Sequence, residues 1–204
     1  MNVLAIGSHP DDIEYGCGGA LLRFARQGYH IYLFIATGGE EGGDPGVRRL
    51  EQEKSAELLG AKKIFWGGYL DTQLPLKQEL ISKIESAVEE VKPSLIFGHA
   101  SRDTHQDHRV LADATLSATR YMKNVLLYEV PSTQDFMPTI FIDIRETLAE
   151  KQEALRAHQS QMDKTRIHDL NILTVANSNA NFRGIQARLK YAEGFLPVRF
   201  VVEP

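Results

Sequence analysis

The chain has 204 residues, 43% of them hydrophobic and 25% charged, with a net charge of −4. That is enough for one buried core, gives no basic stripe for nucleic acid, and holds no run of about 18 apolar residues to span a membrane. MNVLAIGSHP carries no basic n-region or cleavage site, and the lone Cys17 forms no internal disulfide, so a reducing, cytoplasmic setting is expected.

Short apolar runs alternate with helical patterns. VLAI (3–6) is a first strand, followed by a helix with Leu21, Leu22, Phe24 and Ala25 turned inward. IYLFIA (31–36) is a second strand; a glycine-rich loop and a helix ending at Leu59-Gly60 follow, with Gly60 as the C-terminal cap. IFW (64–66) precedes a helix whose Leu80, Ile84, Val88 and Val91 form one stripe, and Pro93 stops it. SLIFG (94–98) is a fourth strand, residues 107–121 a helix, and VLLYEV (125–130) a fifth strand.

Beyond residue 131 the pattern loosens. IFIDI (140–144) reads as a strand, 145–163 as a helix and RFVVE (199–203) as a last strand, while 164–190 yields no assignment. Continuous apolar strands alternating with amphipathic helices predict a single α/β domain over residues 1–204, Rossmann-like, its mostly parallel sheet covered on both faces.

In such a sheet, ligands sit beyond the carboxyl ends of the strands where strand order reverses. With order 3-2-1-4-5, strands one and four flank that crevice. SHPDD follows strand one and HASRDTHQDH follows strand four, so the two densest His/Asp clusters face each other. His9, Asp12, His105 and His108 supply the mixed His/carboxylate donors of a catalytic dication site, and a cation between the loops relieves the Asp11–Asp12 repulsion. Zinc suits such a set, with ferrous iron or cobalt as alternatives; softer metals want thiolates. Taken singly, HPDD also reads as a capped turn and THQDH as a polar helix start.

HPDD followed by HxDH resembles the PIG-L/LmbE-like family of N-acetylglucosaminyl deacetylases, of the bacillithiol-biosynthesis deacetylase kind. TGGE (37–40), Arg48 with Glu51 and Leu59-Gly60, LRAHQSQ (155–161) and YAEGF (191–195) also match its segments in order. The resemblance implies zinc ligands His9, Asp12 and His108, and Asp11 as general base. It implies His105 as acid or oxyanion stabiliser, with Asp107 orienting it. It further implies a small-molecule amino-sugar substrate, release of acetate and a free amine, and a homo-oligomer. Leu70-Asp71-Thr72 stands where the family often has Pro-Asp-Gly, which leaves the role of Asp71 as a sugar-hydroxyl acceptor open.

Arg48, near a helix start, reads as a substrate or acetate contact or as an i,i+3 partner of Glu51. TGGEEGGDPG reads as a mobile lid or an idle loop, and Trp66 and Tyr69 as sugar-stacking or core residues. Cys17 is expected to be structural, GCGG is a weak dinucleotide motif, and His30, His99, His158 and His168 are expected to be structural or surface residues, His99 being the least settled because it follows strand four. Two other functions stay open: a metallo-phosphoesterase, and a non-catalytic sugar- or nucleotide-binding module. The carrier of the sugar (malate, inositol, a second sugar, a nucleotide or none) is not legible.

Overall fold

A computed structural model describes residues 1–202. Its seven-stranded sheet has the order β3-β2-β1-β4-β5-β7-β6. The strands are β1 (Asn2–Gly7), β2 (His30–Thr37), β3 (Ala61–Tyr69), β4 (Leu95–His99), β5 (Val125–Tyr128), β6 (Ile140–Asp143) and β7 (Ala192–Arg199). The first five pair in parallel, and β7 runs antiparallel between β5 and β6.

Six helices cover the sheet: α1 (Asp12–Arg26), α2 (Pro45–Leu58), α3 (Gln78–Val91), α4 (Gln106–Ala118), α5 (Leu148–Arg156) and α6 (Ile172–Gln186). Alternate residues of β1 feed two cores. Val3 and Ala5 pack with α1 and α5, whereas Leu4 and Ile6 pack with the buried stripe of α3 and with Leu111 of α4. Both faces are therefore dry, which is why the central strands read as unbroken apolar runs.

GCGG lies within α1 and serves packing. A Cβ on Gly16 would come within 2.1 Å of the Tyr128 ring, whose hydroxyl donates to the carbonyl of Ile6 at 2.7 Å. The helix thus sits close on β5, and no nucleotide-binding turn forms there. Cys17 is fully buried beside it.

The C-terminal third corrects the sequence reading. The last strand is Ala192–Arg199, earlier than RFVVE; Val201 and Val202 are exposed beyond it, and Glu203 lies outside the described residues. Gly194 and Pro197 mask this strand in a propensity reading, yet Ala192 and Phe195 are fully buried once it is inserted between β5 and β6. The helix expected over 145–163 stops at Arg156. The chain then turns so that the Ser160 amide and hydroxyl both donate to Glu51 at 2.7 Å. The unassigned stretch contains α6, capped by the Asn171 side chain, which accepts from Thr174 N–H.

Candidate metal centre

β1 and β4 are neighbours, and the loops beyond their carboxyl ends meet as the topology predicts. Nδ1 of His9, Nε2 of His108 and Oδ2 of Asp12 form a triangle. His9–His108 is 3.2 Å, His9–Asp12 3.2 Å and His108–Asp12 3.4 Å. All three residues are buried.

Each imidazole has its far nitrogen committed. Nε2 of His9 is 2.9 Å from Asp71 Oδ1 and 3.4 Å from Asp107 Oδ2. Nδ1 of His108 is 3.2 Å from Asp103 Oδ1 and 3.3 Å from the Ser132 hydroxyl. Carboxylates behind both rings hold the hydrogen there and turn a lone pair toward the triangle, the arrangement that backs metal-binding histidines.

Three electron-rich atoms this close repel unless a proton or cation joins them. Burial lowers the pKa of His108, but the charge of Asp12 and the contacts with Asp103 and Asp12 outweigh it and push the value up to about 9. The donor set also fits a dication. Ligand bonds of roughly 2.0–2.1 Å in a tetrahedral site put neighbouring donors about 3.3–3.4 Å apart, close to the three separations here.

Asp11 stands beside this triangle with φ of 105°, a left-handed conformation uncommon for a residue with a Cβ. Nη2 of Arg48 is 3.4 Å from its carboxylate, and its amide donates to Gln52 Oε1 at 3.3 Å. Burial raises its pKa, the Arg48 charge lowers it, and Asp12 raises it again; the balance lies at about 6. Strain of this kind persists where surrounding contacts impose it, often at functional sites.

His105 is the N-terminal cap of α4, and its Nδ1 accepts from the Asp107 amide at 3.2 Å. Its hydrogen therefore belongs on Nε2. The ring lies 4.7 Å from that of His9 and 4.6 Å from that of His108, and burial together with those two histidines lowers its pKa.

Three residues stand in different places from those expected. Asp107 meets His105 through its backbone only; its carboxylate accepts from Thr72 N–H at 2.7 Å and faces His9. Asp71 is buried, with one oxygen on His9 and the other accepting from Glu41 N–H at 3.2 Å. Arg48 is buried and donates to the carbonyls of Gly39 and Pro10 at 2.6 Å; Glu51 pairs with Ser160 and not with Arg48.

The glycine-rich loop is fastened by the same Arg48, by Asp71 and by Gln161, which donates to Gly42 O at 3.3 Å; these ties argue against a free lid. One face of Trp66 and one of Tyr69 are covered by Arg49 and Lys83 at 4.7 and 4.3 Å, which closes those two faces to stacking.

The sequence reading did not single out Asp103, although it sits inside the second His/Asp cluster. Its carboxylate also accepts from His105 N–H and the Thr133 hydroxyl. His99 is stacked on His108 at 4.3 Å and accepts from Ser8 N–H, with burial lowering its pKa to about 4. His158 is buried 3.6 Å from Glu14 and borders the same cavity as Asp11.

Fold and site together define a doubly wound α/β protein with a His-Asp-His donor triangle at its switch point. Residues 4–119 match the family model for PIG-L, GlcNAc-PI de-N-acetylase, and the chain belongs to that family. It is 35% identical to the uncharacterized deacetylase YaiS of Escherichia coli K12, over 78% of this chain and 90% of that protein. It is 28% identical to the diacetylchitobiose deacetylase of Thermococcus kodakarensis, over 98% of this chain and 82% of that protein. The structure of N,N'-diacetylchitobiose deacetylase from Pyrococcus horikoshii superposes with a TM-score of 0.85 at 26% identity, covering 97% of this chain and 83% of that one. No helix among the described residues is long and apolar enough to cross a membrane.

Proposed function

We propose that this chain is a zinc-dependent hydrolase that removes the N-acetyl group from an N-acetylglucosamine-type sugar or glycoconjugate, releasing acetate and a free amine. The observation that carries this reading is the triangle of His9, Asp12 and His108 with an unligated carboxylate, Asp11, at its edge. Deacetylase relatives support the amide as the bond that is cleaved.

His9, Asp12 and His108 hold the dication. When bound, it supplies Lewis acidity, which makes water a better nucleophile at neutral pH and polarises a carbonyl. Asp11 takes the proton of the attacking water; a carboxylate with a pKa of about 6 is largely ionised at neutral pH and still basic enough for the task. Arg48 fixes Asp11 and the Pro10 and Gly39 carbonyls, so it acts by positioning.

His105, with its hydrogen on Nε2, can donate a hydrogen bond to the oxygen on which charge accumulates, while the proton that Asp11 takes from the water passes to the departing nitrogen. Asp71, Asp103 and Asp107 orient the two ligand rings.

Elemental analysis of the purified chain joined to an amine-release assay over N-acetyl sugars tests the reading. One zinc per chain with amine and acetate released in equal amounts supports it. Turnover of phosphate esters with no amine release would overturn it.

A further inference from the structure

The cavity bordered by Asp11 and Asp12 has a volume of about 940 Å³. Ordinary small-molecule sites span roughly 300–1,000 Å³, so an acetylated monosaccharide leaves space beyond it. That space runs away from the donor triangle toward α6. Its lining there carries the apolar side chains of Leu155, Ile167, Leu170, Ile172, Val175 and Phe182, set among polar ones such as Thr165 and Asn179.

Charged groups along this wall do not suit an anion. Glu129 is held by Arg183 through two bonds of 2.6 Å and by Asn179, so the guanidinium is spent on it. Lys164 is the one lysine or arginine bordering the cavity and is exposed at its rim, against the carboxylates of Asp11, Asp12 and Glu129. The other basic group on the lining, His158, faces Glu14, so no pair of cations converges on this wall to receive a malate or phosphate carrier. Among the wall residues Ile167 and Phe182 are 62% and 55% exposed, apolar surface left open to water beside a catalytic carboxylate.

The geometry points to an apolar aglycone: the sugar is carried on an alkyl or aryl group that lies along α6 and the 164–171 segment. This rests on the deacetylase reading above for the sugar's position, and the wall's continuity with Asp11 supplies the rest. A substrate held with its amide at Asp11 reaches this space through the one cavity that Asp11 and Phe182 both line.

The test uses the full chain loaded with zinc, and methyl and n-hexyl glycosides of glucosamine, which bind without turnover. Each methylene buried contributes about a three- to fourfold gain in affinity, so calorimetry is expected to show the hexyl glycoside at least about tenfold tighter. Val175→Asp and Phe182→Ser, both at partly open positions, are each expected to remove most of that gain and to leave the methyl glycoside's affinity in place. Equal binding of the two glycosides, or a gain that survives both substitutions, overturns the inference. So does a chain found to be a dimer in solution that falls apart in Val175→Asp and shows no hexyl preference at any stage, because the wall then belongs to a second copy. Amine release from the N-acetyl methyl glycoside separates the two readings. A hexyl preference without any release leaves the apolar subsite standing and removes the deacetylase reading; release without a hexyl preference does the reverse.

Discussion

Nε2 of His108 lies 3.2 Å from Nδ1 of His9, although the two residues are 99 positions apart and each ring is backed by a carboxylate. Two imidazole lone pairs brought face to face beside Asp12 make the candidate cation site of the proposed function. Titration of the metal-free chain with zinc should saturate at one ion per chain, and His108→Ala should abolish that binding. Asp71→Asn should keep the site but weaken it by about 10–100-fold, the usual cost of removing a carboxylate behind a ligating histidine. Unchanged affinity in that variant would remove Asp71 from the orienting role.

Asp11→Asn should retain zinc and lose roughly 10²–10⁴-fold in kcat. The sign of the pH dependence follows from the base being active as the carboxylate. With its pKa raised to about 6 in the folded chain, kcat/KM is full above that value and falls as the pH drops through it. A neighbouring dication favours the carboxylate and moves this acid limb lower. An acid limb of unchanged position in Asp11→Asn would assign the ionisation to another group.

Arg48→Lys keeps the charge and loses the fork that spans Gly39, Pro10 and Asp11. Small misplacements of a catalytic group cost up to about 10²-fold. Steady-state kinetics should therefore show kcat down by about tenfold or more with KM little altered. A large rise in KM at constant kcat would restore Arg48 to direct substrate contact.

Lys151 is buried, with Nζ 2.6 Å from both Glu193 and the Tyr15 carbonyl, and Glu193 also accepts from the amides of Gly19 and Ala20. Removing Lys151 leaves the buried Glu193 charge with only its two backbone donors. Lys151→Ala should cost about 3–5 kcal/mol, seen as a lower urea midpoint with an unchanged slope.

Cys17 is fully buried, and burial together with Glu193 pushes its thiol well above the ordinary range. The native chain should resist iodoacetamide at mildly alkaline pH, where a free thiol reacts, and be alkylated fully in urea. Rapid labelling of the folded chain would contradict the packing of α1.

Much of the architecture was readable because local pattern and tertiary role coincide. Leu80, Ile84 and Val91 of the expected stripe are buried along α3, with Val88 only partly so, and Gly60 takes a φ of 69° after α2. The last third was not readable, because its burial is not apolar in the ordinary way. α6 turns Ala176, Ala180 and the buried Arg183 inward, and Arg183 is tolerated only because Glu129 lies opposite. β7 carries Gly194 and Pro197 in a strand that exists because β5 and β6 hold it from both sides.

By itself the sequence determined the alternation of buried strands and helices and the two His/Asp clusters, because periodicity and residue type are local properties of the chain. Strand order, and with it the meeting of those clusters, could only be expected. Which nitrogen of each histidine faces inward, that Asp71 and Asp107 back His9, and that Arg48 braces Asp11 were decided in three dimensions. The physical reason is that a side chain's role is set by what fills its remaining hydrogen-bonding positions, and for His9, Asp11 and Asp107 those partners come from segments 35 to 98 residues away.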